Sequence, residues 1–136
     1  MPPFWQAGFL LGVDMYEIRV ISSFSAAHRL RDYQGNCANV HGHNWEVCAV
    51  LQSENLDEQG ICVDFRDVKG SLTSILDEFD HTEINAHPDF QKLNPTSENL
   101  AKYIFDRLQT ELQSADARVV RVEVAENANS RAAYFA

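Results

Sequence analysis

Residues 15 to 28, MYEIRVISSFSAAH, alternate apolar and polar side chains and predict a strand. Tyr16, Ile18, Val20 and Phe24 fall on compatible faces. A polar stretch with Gly35 and Asn36 reads as a loop. A second strand follows, roughly from His43 to Leu51. Trp45, Val47, Ala49 and Leu51 share one of its faces, and a period of two adds His41 and His43 if the strand extends back. SENLDEQG is a turn, and ICVDF reads as a short extended piece. Asp64 is a candidate helix N-cap. Beyond it Val68, Leu72, Ile75, Leu76 and Phe79 recur at a helical period.

The connector INAHPDFQKLNP leads to a second helix. Its predicted cap is Thr96 or Ser97, and its buried stripe is Leu100, Ile104, Leu108 and Leu112. Residues 119 to 126, VVRVEVAE, alternate as a strand, and RAAYF is a weaker one. The order strand-strand-helix-helix-strand-strand predicts an α+β domain over residues 15–136, an antiparallel sheet backed by helices on one face. Four strands and two amphipathic helices make a thin core, and their open sheet edges are a liability in a monomer. Oligomerisation through those edges is the expected remedy.

Composition narrows the partners. The chain has 136 residues, enough for one domain, and 45% of them are apolar. Its 11 basic and 20 acidic residues give a formal charge of −9 with no basic run. That excludes the cationic footprint a nucleic-acid binder needs, so no nucleic acid is expected as a partner. Residues 1–14, MPPFWQAGFLLGVD, hold an apolar run too short to span a bilayer and without a basic flank. They read as an N-terminal extension, and no membrane partner is expected. Three cysteines, Cys37, Cys48 and Cys62, follow no disulfide pattern. Reduced thiols in a cytoplasmic protein are the simplest reading.

The chemistry concentrates in CANVHGHNW, residues 37–45. If the first two strands pair as a hairpin, His28, His41 and His43 converge near its loop end. Three histidines leave a fourth position open, as in a catalytic zinc site. Ala26, Ala27 and Gly42 are small enough for close approach of the backbones. His-Gly-His alone is equally a pair of surface histidines; His28 is what strengthens the metal reading. Cys37 has two readings. It closes a structural site as a fourth ligand, or it is a nearby base or nucleophile whose thiolate a cation favours. Cys48 and Cys62 read as buried fillers. Asp80 precedes His81, an acid beside an imidazole; the plainer reading is a histidine at a helix C-terminus. Glu126 continues the alternation of Val120, Val122 and Val124, so it points inward and needs a partner, unless the strand ends one residue early.

Together these segments resemble the 6-pyruvoyl tetrahydropterin synthase family over roughly Met15 to Phe135. FSAAHRL, CANVHGHNW, GICVDFRDVK, DHTEIN, NPTSENLA and VEVAEN occur in the family's order. Only three residues separate Cys37 from His41, which is similar to the family's carboxy-forming branch in queuosine (7-deazapurine) biosynthesis. The resemblance implies the tunnelling fold (T-fold), with subunits joined into barrels, commonly trimers stacked as a homo-hexamer, and sites at subunit boundaries. It implies a zinc-dependent lyase. The substrate would be 7,8-dihydroneopterin triphosphate, and the products 6-carboxytetrahydropterin, acetaldehyde and triphosphate. His28, His41 and His43 would hold Zn2+, Cys37 would be the catalytic thiol, and Asp80 with His81 the relay pair. Glu126 would anchor the pterin, with Glu98 nearby. The chain departs from the family at Asn127, where threonine usually follows the anchor glutamate. Arg29, Arg31, Lys69 and Lys92 are candidates for the triphosphate.

Overall fold

The computed structural model describes residues 14–112 and 116–136; the extension expected at residues 1–14 lies, apart from Asp14, outside them. Strand β1, Tyr16–His28, and strand β2, His41–Ser53, form a long antiparallel hairpin. Its register runs without interruption from Tyr16 opposite Ser53 to His28 opposite His41. Helix α1, Phe65–Leu76, is capped by Asp64, which accepts a hydrogen bond from the Arg66 N–H at 2.8 Å. A two-residue strand β3, Thr82–Glu83, follows. Helix α2 spans Ser97–Glu111 and is capped by Thr96. Strands β4, Ala117–Asn127, and β5, Ser130–Phe135, complete a sheet in the order β3-β1-β2-β4-β5.

One face of the sheet carries the core. Trp45, Val47, Ala49 and Leu51 are fully buried there, against Val68, Leu72 and Ile75 of α1 and Leu100, Ile104 and Leu108 of α2. The opposite face is polar: Arg19 pairs with Glu17 and Glu123, and Arg131 with Glu46. No described helix is long and apolar enough to cross a membrane.

The expected order of four strands and two helices is present, and four details differ. The sheet is mixed, because β3 adds a short parallel pairing of Ala26 with Thr82 and Ala27 with Glu83. ICVDF is not a strand; it bends into α1, whose first residue is Phe65. Phe79 is buried but lies beyond the end of α1, in a turn closed by its N–H on the Leu76 carbonyl. Val120 does not join the inward alternation. The register slips between Val50 and Leu51 of β2, which face Arg121 and Val119 of β4. Val120 is the extra residue of this bulge, so Val119 takes the core position instead.

Candidate active site

The β1–β2 register places His28 directly opposite His41, and Ala26 opposite His43. His41 and His43 project to the same face, since the period of a strand is two. The ring centroids lie 4.6, 4.9 and 5.2 Å apart, and the ligand atoms of the three imidazoles all fall within 4.8 Å of one another. Trp45 packs edge-on against His28 and His43, forming the apolar wall of the cluster.

The tautomers follow from the partners. His28 Nδ1 is 2.7 Å from the Pro95 carbonyl, and His41 Nδ1 is 2.7 Å from the Asn39 carbonyl. A carbonyl only accepts, so each Nδ1 carries the proton and each Nε2 presents a lone pair. His28 Nε2 and His43 Nε2 are buried with no hydrogen-bond partner. Burial holds the pKa of both His28 and His43 below the ordinary 6.5, with the neighbouring His41 acting in the same direction. Three imidazoles whose ligand atoms converge, two of them with buried, unpartnered Nε2 atoms, are the donor set of a divalent metal ion, and the residues present fit Zn2+.

A pH dependence follows. Unfolded histidine takes its proton near 6.5, before His28 and His43 do in the folded chain. The chelated protein therefore has its full stability above about pH 6.5 and loses it as pH falls toward the folded pKa values. Its urea midpoint at about pH 5.5 should be lower than at about pH 7.5. An unchanged or rising midpoint would contradict neutral, buried imidazoles.

Cys37 lies in a single 3-10 turn, Asn36–Ala38, and is half-buried. Its carbonyl accepts the Leu30 N–H at 2.8 Å, which ties the turn to the end of β1. The thiol is not part of the three-histidine group, so the closed site of one thiolate and three imidazoles is not formed. Cys48 is buried in β2, as its filler reading expects; Cys62 is half-buried at the bend before α1.

Asp80 and His81 do form a pair, with Oδ2 and Nδ1 3.0 Å apart. Asp80 Oδ1 also accepts the Ser25 N–H at 2.9 Å. That bond, followed by the one to His81, holds the Asp80 pKa below its ordinary value. His81 is not at a helix terminus. It occupies a left-handed turn at φ 59°, rare for a residue with a side chain. Its ring is exposed, its N–H donates to the Ser25 carbonyl at 2.6 Å, and it lies outside the three-histidine group.

Glu126 stands at the second slip of β4, where Ala125 faces Arg131 and Asn127 faces Ser130. A bulge re-aims the side chain of the extra residue. Glu126 Oε2 lies 3.7 Å from His43 Nε2, and Oε1 accepts a 3.3 Å hydrogen bond from the Ser97 hydroxyl. Sequence reasoning left Ser97 as an alternative helix cap. Its near-complete burial at the start of α2 brings it to Glu126 instead. Glu98 is exposed in the first turn of α2. An apolar hollow of about 520 Å³ between Tyr16, Ile18, Ile61, Val63 and Phe65 lies at the opposite end of β1 and contains none of these residues.

The profile of the 6-pyruvoyl tetrahydropterin synthase family matches residues 17–136. The chain belongs to this family. It is 39% identical over 110 residues to a provisionally named 6-carboxy-5,6,7,8-tetrahydropterin synthase of Archaeoglobus fulgidus, covering 81% of this chain and 87% of that one. It is 32% identical over 114 residues to the 6-carboxy-5,6,7,8-tetrahydropterin synthase of Bacillus subtilis, covering 80% and 76%. The solved 6-pyruvoyl tetrahydropterin synthase of Caenorhabditis elegans superposes with a TM-score of 0.82 at 26% identity, over 91% of this chain and 97% of that one. The α+β architecture is thus that of the family's tunnelling fold. The three histidines, Cys37, Asp80, His81 and Glu126 all lie within the matched residues.

Proposed function

We propose that this family member is a zinc-dependent 6-carboxy-5,6,7,8-tetrahydropterin synthase, a lyase of queuosine (7-deazapurine) biosynthesis. It would convert 7,8-dihydroneopterin triphosphate to 6-carboxytetrahydropterin, acetaldehyde and triphosphate. The observation that carries this reading is the pair of buried, unpartnered Nε2 atoms in a three-histidine cluster that leaves Cys37 outside. Relatives named for the carboxy product support the branch.

In this reading His28, His41 and His43 hold Zn2+, which when bound acts as a Lewis acid and makes hydroxyl and adjacent C–H protons of a substrate side chain more acidic. Cys37 accepts a proton as its thiolate. Glu126, aimed by its bulge and held by Ser97, accepts N–H groups of the pterin ring and stops the reacting carbon from drifting. The Asp80–His81 pair lies outside the three-histidine group. It relays protons in the site of a neighbouring subunit, in a cytoplasmic homo-hexamer built as a dimer of trimers through the sheet edges. Glu98 borders the pterin. Arg29, exposed beside His28, is suited to the triphosphate by position, whereas the Arg31 guanidinium donates to the Leu93 and Asn85 carbonyls.

Glu126→Ala removes a charged acceptor worth about 1.5–3 kcal/mol. It should lower kcat/KM by about 10- to 100-fold, chiefly through KM, while metal content is unchanged. A variant with the parent's KM would place the pterin elsewhere.

The deciding experiment is product analysis. The purified protein is incubated with 7,8-dihydroneopterin triphosphate, and its products are identified by mass spectrometry. The expected products are 6-carboxytetrahydropterin and acetaldehyde, lost with chelator and restored by Zn2+. A 6-pyruvoyl product, the reading favoured by the structural likeness to the Caenorhabditis elegans enzyme, would move the chain to the other branch. No turnover with metal bound would leave a structural ion.

A further inference from the structure

Beyond His28 the hairpin ends, since His28 opposite His41 is its last pair. The backbone of Arg29 and Arg31 nevertheless has partners, and both are side chains. Asn85 Oδ1 accepts the Arg29 N–H at 2.9 Å, and Asn85 Nδ2 donates to the Arg29 carbonyl at 3.0 Å. Asn94 repeats the arrangement on Arg31, at 2.9 and 3.1 Å. Residues two apart present their backbone groups to the same edge of a strand. The two amides therefore imitate a neighbouring strand, continuing the edge where β3 pairs with Ala26 and Ala27. A carboxamide is the side chain that carries one donor and one acceptor in the plane this requires.

What these clamps hold is the active site. Leu30, between the clamped residues, turns its N–H the other way, onto the Cys37 carbonyl at 2.8 Å. Pro95, the residue after Asn94, gives its carbonyl to His28 Nδ1 at 2.7 Å. The Asn94 backbone is itself fixed, its carbonyl accepting from Thr96 N–H and Asn99 Nδ2, each at 2.9 Å. We infer that Asn85 and Asn94 are positioning residues of the metal centre and its thiol: Asn94 sets the carbonyl that fixes the His28 tautomer, and both amides set the strand end to which Leu30 ties the Cys37 turn. The inference rests on the metal reading above for its affinity arm, and on geometry alone for the other two.

The test uses the full chain and the variants Asn94→Ala, Asn94→Asp and Asn85→Ala. Zn2+ affinity is measured by chelator competition. The His28 tautomer is read in the metal-free protein from imidazole 15N shifts, and the reactivity of Cys37 from its rate of alkylation by iodoacetamide, located by peptide mass spectrometry. Loss of an outer-shell partner costs about 10- to 100-fold in metal affinity, and that is expected for Asn94→Ala. Asn94→Asp keeps the acceptor for the Arg31 N–H and should recover part of it. The metal-free Asn94→Ala protein should show mixed His28 tautomers where the parent shows one. Asn85→Ala should alkylate faster at Cys37, because the turn opens more readily.

Affinity within about twofold of the parent, with an unchanged tautomer and an unchanged alkylation rate, would overturn the inference: the amides would then merely staple a loop. Should Asn94→Ala not fold, Asn94→Asp decides by the same readouts. A parent that binds no Zn2+ overturns the metal reading instead. The tautomer and alkylation results then decide the positioning role without it.

Discussion

Cys37→Ala should keep its divalent ion and lose about 10²- to 10⁴-fold of its turnover, the range for one general acid–base group. Both halves follow from the same geometry. The three imidazoles meet without the thiol, so removing sulfur takes nothing from the donor set. The Leu30 bond to the turn uses the Cys37 backbone carbonyl, which alanine retains. The fold and the histidine cluster should therefore survive, and kcat should carry the loss. Metal analysis and steady-state kinetics on the same preparation check it. Parent-like turnover would remove Cys37 from the mechanism. Loss of the ion would restore the closed site that the structure argues against.

The second large effect is on the metal itself. His41→Ala should weaken Zn2+ binding by more than about 100-fold, the upper end for losing only an outer-shell partner, and turnover should disappear with it. His41 is the better probe than His28, because His28 is 1% exposed and its removal would open a hole in the core. Stability gives a readout independent of activity. A ligand that binds only the folded state stabilises by RT ln(1 + [L]/Kd), about 4 kcal/mol at a thousandfold excess over Kd. The parent's Tm should rise with added Zn2+, and that of His41→Ala should not at the same concentration. Equal rises in both would mean that the ion sits elsewhere.

The metal site was readable because it is built almost locally. His41 and His43 are two apart on one strand. His28 ends the strand before it, and strands consecutive in sequence pair as neighbours by default. Helix starts were readable for a similar reason, since Asp64 and Thr96 cap with their own side chains the next turn of their own segment. The sheet misplacements involve partners distant in sequence, whereas that of Phe79 is a local helix end. Val120 looks inward by strict alternation, and only pairing with β2 reveals the bulge that hands its place to Val119. Phe79 fits the helical period, yet α1 has ended and the ring is buried from a turn.

The amino-acid order alone determined which elements form and which atoms are available, because side-chain periodicity, capping and ligand chemistry are properties of a few adjacent residues. Register across the sheet decided the rest. It left two Nε2 atoms buried and bare, set the Pro95 carbonyl on His28, and bent Glu126 toward His43. Those are long-range pairings whose energy exists only once the chain has closed on itself, so no local pattern records them.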